Sequence, residues 1–578
     1  MNSAPAGPPA RVSSHEAILL GVILSAGAAL RVAYLLELLH WRYAREVLLV
    51  GDGRVYHEAA LRILSGNPWG VPVSYQDPLY PTILALLVKF TGSDLAGPLA
   101  VQHALGVASA GLCFAIARRM GGPVAGLVAA ALAALSPVPI YYEGLIEKSA
   151  PGIFLFALAT WLLASGLARG RAARVAGAGA ALALTALLRG NALFVLPVAG
   201  LAIALARPRP IPTGKAIVAL GLGIALVLVP TMTRNRMITG SFALTAGQGG
   251  ANFWVGNNAG NRTGTFRPPP FLREDPRHEE YDWRAEAERW AGRTLDRGEV
   301  SRFWLREGLR YWVEFPAAAM RNTGIKMLLF FSGYELPDTQ AYSFFRDYIG
   351  IPILRWPLPA MGPTMALAIL GLLVSLPLWR ARAAELGLLA GYAASVVFFF
   401  VLGRYRIIAL VPAASFAGVG AAAIVRHARR REALRFAAAV AVLVAAGFVT
   451  RLGRWPAREA LSYINLAVSL AREGRYDEAA RPVAEWLAYN PQSVLARELE
   501  GKLAMIRGDL ETAERDFSGA LALAPQKRSL RVAMARLRLR QGRREEAIAI
   551  MEALVRDRPY DTDLRRMLQG LRASGPGR

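Results

Sequence analysis

The chain has 578 residues, 54% of them hydrophobic, with a mean hydropathy of +0.31 and a formal net charge of +25. A soluble protein of this size rarely sustains so many uninterrupted Ala/Leu/Val/Gly runs, so composition excludes one soluble globule and points to many membrane spans. The positive charge sits in short Arg runs between apolar segments, which marks membrane topology rather than nucleic-acid binding.

In chain order, residues 1–14 are rich in Pro, Ala and Ser and are expected to be disordered. The apolar run after them lacks a small-residue cleavage site and reads as an uncleaved first span. Eleven spans are expected, at about 17–39, 96–117, 123–142, 150–168, 175–188, 192–206, 216–233, 361–379, 386–402, 407–425 and 436–450. The single cysteine, Cys113, lies within an apolar run, so no intramolecular disulfide can form.

The connections between spans are of two kinds. Arg-rich ones fall at 118–119, 169–174, 207–215, 380–382 and 426–435. They alternate with others that include the two longest loops, 40–95 and 234–360. Placing the Arg-rich set in the cytoplasm puts the N-terminus inside and both long loops outside. The stretch 175–206 tests this scheme. As one helix it would be about 48 Å long, well over a hydrocarbon core of about 30 Å. A turn at Arg189-Gly190-Asn191 keeps the charge alternation, and is expected.

That parity collects ionisable residues on one face. Asp52 follows the first span, in Gly51-Asp52-Gly53-Arg54-Val55-Tyr56-His57-Glu58. Glu143, Glu147 and Lys148 lie in the second outer loop, Arg189 at the next outer turn, Arg234 and Arg236 at the start of the large loop, and Arg404 and Arg406 near the end. Ionisable groups near bilayer depth are expensive and usually line a cavity or pair with one another, so the set points to one polar site. Each member alone has a plainer reading. Arg189 serves as well for a snorkelling anchor, and Glu147 beside Lys148 for a local ion pair. Tyr141 and Tyr142 read as interface-belt aromatics, and His57, Glu58 and Asp77 as loop-shaping residues.

The loop 234–360 carries a Gly/Asn-rich stretch, Gly249-Gly250-Ala251-Asn252-Phe253-Trp254-Val255-Gly256-Asn257-Asn258, which implies tight turns and close backbone approach. Trp283, Trp290, Trp304, Tyr311 and Trp312 follow in helical text, as expected of amphipathic helices on the membrane surface.

After the last span the text becomes charged and periodic. Gly474, Gly508 and Gly542 stand 34 residues apart, as do Ala479, Ala513 and Ala547, and Pro491, Pro525 and Pro559. This is the signature of tetratricopeptide repeats, helix–turn–helix units whose small Ala lets the pair pack closely. Three repeats are expected, at about 460–493, 494–527 and 528–561, with a capping helix to about 573. The fold class is therefore all-α. A helix bundle of about 11 spans over 15–450, with its outer loops, is followed by an α-solenoid over 451–574. Such a solenoid offers a concave surface to a protein or peptide, and by parity lies on the Asp52 side.

A carboxylate at the outer mouth of a membrane cavity, with Arg and Lys nearby, suits sugar transfer from a lipid-linked phosphate donor. Asp52 would take the proton of an acceptor hydroxyl, and Lys148, Arg189, Arg404 and Arg406 would hold the phosphate. Glu143 and Arg234 are further candidates to bind substrate. No Gly-rich nucleotide loop and no His/Cys metal cluster is visible, so a nucleotide-sugar donor is not expected, and nothing in the sequence requires a cofactor, with divalent-metal dependence left open. Two other readings compete: a transporter or flippase for a charged lipid-linked ligand, and a non-catalytic scaffold presenting the repeats.

Asp52 with Tyr56 and Ala59, then Asp77-Pro78-Leu79-Tyr80-Pro81, is similar to the start of the GT-C glycosyltransferases. The stretch resembles in particular bacterial relatives of dolichyl-phosphate-mannose protein mannosyltransferases and of lipid A aminoarabinose transferase. Arg234-Asn235 through Gly256-Asn257-Asn258, and Arg404-Tyr405-Arg406 before Pro412, also resemble segments of that group, over roughly 15–430 in all. The resemblance implies an inverting transfer from a polyprenyl-phosphate sugar to a hydroxyl of a protein, lipid or glycan. It makes Asp52 the principal acid, Glu147 the second acidic position, and Tyr56 and Asn257 part of the substrate site. It also implies a multi-pass protein of a bacterial inner membrane, active at the outer face. One departure stands out. The protein mannosyltransferases follow their first-loop Asp with Glu, whereas Gly53 follows here, which leaves the acceptor open.

Overall fold

A computed structural model describes residues 12–67, 79–93, 95–239, 248–272, 278–355, 361–453, 460–559 and 561–573. Asp77 and Pro78, and residues 1–11 of the expected disordered start, lie outside them. Among the described residues the architecture is all-α.

The membrane half begins with α1 (Ser14–His40), capped by Ser13 Oγ, which accepts from the Glu16 N–H. Short α2 (Ala44–Leu48) and α3 (Gly51–Leu64) lead to α4 (Leu79–Thr91), α5 (Ala96–Gly121), α6 (Pro123–Leu135), α7 (Pro137–Glu143) and α8 (Ser149–Arg169). Then come α9 (Ala172–Leu188), α10 (Val195–Leu205) and α11 (Thr213–Thr239). The large loop folds as α12 (Gly249–Gly256), α13 (Glu279–Ala291), α14 (Arg297–Glu314) and α15 (Pro316–Phe330). The bundle closes with α16 (Met361–Ser375, continued as a 3-10 turn to Leu378), α17 (Ala383–Phe398), α18 (Gly403–Arg429) and α19 (Ala433–Leu452).

Seven of these, α1, α5, α8, α11, α16, α18 and α19, are long and apolar enough to cross a membrane, and α6 with α7, bent by 52°, makes an eighth. The segments α9, 190–205 and α17 are apolar but shorter. So is α4, which falls within the loop expected over 40–95. The helix break expected after α9 occurs at Arg189, whose backbone is extended, followed by a 3-10 turn over Gly190–Phe194. Helices in the bundle approach closely through glycine: a Cβ on Gly371 would strike the Phe416 carbonyl, and one on Gly223 the Ala176 carbonyl.

The two ends of the bundle differ in chemistry. At one end the Arg-rich turns meet: the Arg207 N–H donates to Arg380 O at 3.0 Å, Arg382 Nη2 to Met120 O at 2.6 Å, and Arg118 pairs with Glu16 at 2.9 Å. Asp52, Lys148, Arg189 and Arg404 gather at the other.

In the large loop Trp254, Trp283, Trp290 and Trp304 pack on one another with ring centroids 4.8–6.2 Å apart, and Trp304, fully buried, donates its indole N–H to Trp283 O. Trp283 and Trp304 are buried in a small helical core of their own, with Trp254 packed against it, while Trp290 stays about half exposed at its edge. Tyr141 and Tyr142 are not belt residues. Both are buried, Tyr141 against Tyr342 and Phe345, and Tyr142 donating its hydroxyl to Glu335 Oε1 at 2.5 Å.

The solenoid stacks three helix pairs: α20 (Ala460–Arg472) with α21 (Tyr476–Tyr489), α22 (Val494–Arg507) with α23 (Leu510–Leu523), and α24 (Arg528–Arg540) with α25 (Arg544–Asp557). Helix α26 (Thr562–Ala573) follows. Ala479, Ala513 and Ala547 are all fully buried, which is what close pairing of the helices demands. The solenoid touches the membrane half at both of its ends. Near α20, Arg475 pairs with Glu46 at 2.7 Å and Asn465 Nδ2 donates to Thr339 O at 2.7 Å. At the far end, Arg558 Nη2 donates to Pro270 O at 3.2 Å, and the Tyr281 and Thr562 hydroxyls lie 3.1 Å apart.

Candidate active site

Asp52 stands in the first turn of α3, where the unpaired N–H groups of a helix start favour a carboxylate. Its neighbours are glycines for separate reasons. Gly51 has φ +52 and lies so near Thr339 that a Cβ would sit 2.6 Å from its methyl. A Cβ on Gly53 would sit 2.5 Å from Leu48 O and 3.3 Å from Ile146 O. The residue where protein mannosyltransferases carry Glu therefore has no room for any side chain here.

Arg404, in the first turn of α18, binds two carboxylates: its Nη1 lies 2.5 Å from Asp52 Oδ2, and its Nε pairs with Asp338. Lys148 precedes α8 and holds its ammonium 5.1 Å from the Tyr56 ring. The Tyr56 ring meets Tyr80, whose hydroxyl donates to Gln102 Oε1 at 2.8 Å. The Gln102 amide in turn donates to Glu143 O and Leu145 O, both at 2.8 Å, and so fixes the loop that carries Glu147 and Lys148. Arg189 follows α9, 3.2 Å from Glu147 Oε2 and with its guanidinium 4.6 Å from the Tyr405 ring. Helix ends thus supply most of the charged groups.

The three acids differ. Burial alone would raise the Asp52 carboxyl, yet Arg404, with Lys148 and Arg189 behind it, holds it below the usual carboxylate range. For Glu147 burial prevails over Arg189 and Arg404, and its carboxyl is pushed up. Asp338 is also pushed up, by burial and by the neighbouring Asp52 charge, against the pull of Arg404.

Asp52, Tyr56, Lys148, Arg189 and Arg404 line one cavity of about 1760 Å³, together with Asp338 and Tyr405. Glu147 stands behind Arg189. The other candidates fall elsewhere. Glu143 is buried against Arg31, Nε to Oε2 at 2.7 Å and Nη2 to Oε1 at 2.9 Å, with His103 Nδ1 at 3.0 Å. Arg406, fully buried, donates to Leu329 O at 2.8 Å and Ser332 O at 2.7 Å, and pins the strand of chain that leads to Asp338. The Asn257 amide donates to Phe253 O and Phe398 O at 2.8 Å, and its Oδ1 accepts from Lys326 and Trp312. Arg234 lies in the last turns of α11, 3.4 Å from Asn235 Oδ1. None of these four lines the cavity. Sequence reading missed Asp338. It sits in a 127-residue loop with no periodicity to single it out, and its partner Arg404 is 66 residues further on.

Among the described residues no group of three or more His, Cys, Asp or Glu is placed to hold a metal ion.

Residues 72–233 match the family model described as dolichyl-phosphate-mannose-protein mannosyltransferase, and residues 504–571 match a tetratricopeptide-repeat model. No curated protein matches the chain. Among solved structures it is similar to the archaeal oligosaccharyltransferase AglB from Archaeoglobus fulgidus in complex with an inhibitory peptide and a dolichol-phosphate, at 15% identity and a TM-score of 0.39, over 81% of this chain and 60% of that one. It is also similar to the apo form of the Archaeoglobus fulgidus oligosaccharyltransferase, at 14% identity and a TM-score of 0.37, over 79% of this chain and 59% of that one. The chain thus spans about 60% of the length of these structures. It carries a segment, 72–233, that is similar to dolichyl-phosphate-mannose-protein mannosyltransferases, and a tetratricopeptide-repeat region over 504–571.

Proposed function

We propose that the protein is an inverting glycosyltransferase that moves a sugar from a polyprenyl-phosphate donor to an acceptor hydroxyl, with Asp52 as the base. The observation that carries this reading is one ionised carboxylate in a large cavity, flanked by Arg404, Lys148 and Arg189. The acceptor oxygen bonds to the anomeric carbon as the bond from that carbon to the phosphate oxygen breaks. The hydroxyl proton passes to Asp52, and the bonding pair leaves with the polyprenyl phosphate, which gains one negative charge. Arg189 and Lys148 are positioned to bind that phosphate, and guanidinium suits its paired oxygens. Arg404 orients Asp52 and keeps it ionised. A carboxylate below its usual range is a weak base, which suffices where the proton leaves late, as at an oxocarbenium-like centre.

The Arg-rich end of the bundle faces the cytoplasm in this reading. The cavity and the solenoid then face the opposite side, which in a bacterium is the outer face of the inner membrane. Purified enzyme given polyprenyl-phosphate sugars and hydroxyl acceptors should transfer sugar with inversion, and Asp52→Asn should abolish transfer while the protein still inserts and folds. Retained transfer in that variant removes Asp52 from the chemistry. A reporter fused after residue 573 should read non-cytoplasmic, and a cytoplasmic signal reverses the orientation.

A further inference from the structure

The cavity does not stop at the membrane half. Its lining continues from Asp52 onto the concave side of the solenoid, through α20, the loop before α22, and the start of α24. Because the solenoid is tied down at both ends, it forms an arch with the reactive carboxylate at the foot and open space beneath.

The arch has a definite chemistry. Over the whole lining, the described residues include ten Lys and Arg against four Asp and Glu. All four acids belong to the membrane half, and the described lining residues of the solenoid are cationic, polar or apolar. Lys502 and Lys527 share one buried carboxylate, Glu498, at 2.6 and 2.8 Å. Arg536 extends the basic stretch along α24. Towards α20 the wall turns apolar, with Ile464, Val468, Trp486 and Leu495, while Asn490 and Gln526 present amides between the two zones. A polyanionic glycan would satisfy the cations and leave the apolar zone unfilled. A polypeptide can supply acidic side chains, apolar side chains and backbone amides together.

We propose that the concave face of the solenoid is the acceptor wall of this active site, and that it takes an extended polypeptide bearing acidic residues beside the hydroxyl that is to receive the sugar. The inference rests on the transferase reading and adds the class of acceptor to it. Apolar residues of the acceptor seat against Ile464 and Val468, its carboxylates face Lys502, Lys527 and Arg536, and its hydroxyl reaches Asp52.

The test measures binding apart from transfer. The full-length protein in lipid nanodiscs is titrated against a fluorescein-labelled peptide in which serines are flanked by glutamates and leucines. A second peptide carries glutamine in place of every glutamate. The acidic peptide should bind about tenfold more tightly than the amide peptide, and lose that advantage as salt is raised. Arg536→Glu should weaken the acidic peptide by about tenfold with no change in the amide peptide, and Arg536→Lys should restore it. Equal affinity for the two peptides, or no binding of either, overturns the inference. A polyuronate oligosaccharide that displaces the acidic peptide at lower concentration than the unlabelled peptide itself overturns the choice of a polypeptide. Charge-dependent peptide binding with no sugar transfer from any polyprenyl-phosphate donor sinks the transferase reading instead, so the two failures are distinguishable.

Discussion

Two acid–base clusters lie at the same end of the bundle, and they are built differently. In the first, Arg31 and Glu143 form a two-pronged pair with both side chains 2% exposed. The remaining Arg31 nitrogen donates to Gly27 O and Ala134 O, and His103 Nδ1 adds a third contact to Glu143, at Oε2. Every charge there is answered at short range and nothing is left to face a substrate. In the second, a single guanidinium, Arg404, is shared between Asp52 and Asp338, with Asp52 a quarter exposed to the cavity. A closed pair of this kind staples helices together, whereas a cation shared by two acids leaves carboxylate oxygens to do chemistry.

If that contrast is right, substitutions in the two clusters must fail in different ways. The largest effect is expected for Asp52→Asn, with a loss of transfer of about 10³-fold and no change in unfolding temperature, read by radiolabelled sugar transfer and thermal unfolding of the purified protein. Arg404→Gln should cost about 10²-fold and also move the acid limb of the pH–rate profile. In the native protein the Asp52 carboxyl is held low, so activity that needs the carboxylate persists above that point and is lost as pH falls through it. Without Arg404 the limb shifts to higher pH, and an unshifted limb would mean Asp52 is not the group being read. Arg31→Met should behave in the opposite manner. It strands a buried Glu143, costs about 3–5 kcal/mol of stability, and lowers the yield of folded protein, while the molecules that do fold transfer at near-native rate. The smallest effect belongs to Arg475→Gln at the half-buried tether to Glu46, where the unfolding temperature should fall only slightly because Arg475 is partly solvated.

The bundle, the repeats and half of the site were legible in the sequence because each rests on a periodic or alternating signal. Asp52, Lys148, Arg189 and Arg404 stand at span ends, where charge alternation assigns a side. Arg406 shares the segment of Arg404 but is two residues further along a helix, about 200° around it, and so serves the opposite face. No loop-level reading separates those two. Glu143 was grouped with the site because its partner, Arg31, lies inside an otherwise apolar span with no pattern to disclose the pairing. Asp338 becomes visible only when α18 brings Arg404 beside the large loop. The mutual packing of Trp283 and Trp304 is not legible either, because helical spacing records a face and not what covers it.

The size of the chamber carries a cost of its own. A space of about 1760 Å³ holds tens of water molecules when no acceptor is present. Each of them is a hydroxyl that Asp52 could deprotonate, and each is far more abundant than any acceptor. On the transferase reading proposed above, a slow leak is therefore expected, with free sugar released from a bound donor until an acceptor seated under the arch displaces the solvent from around the anomeric carbon.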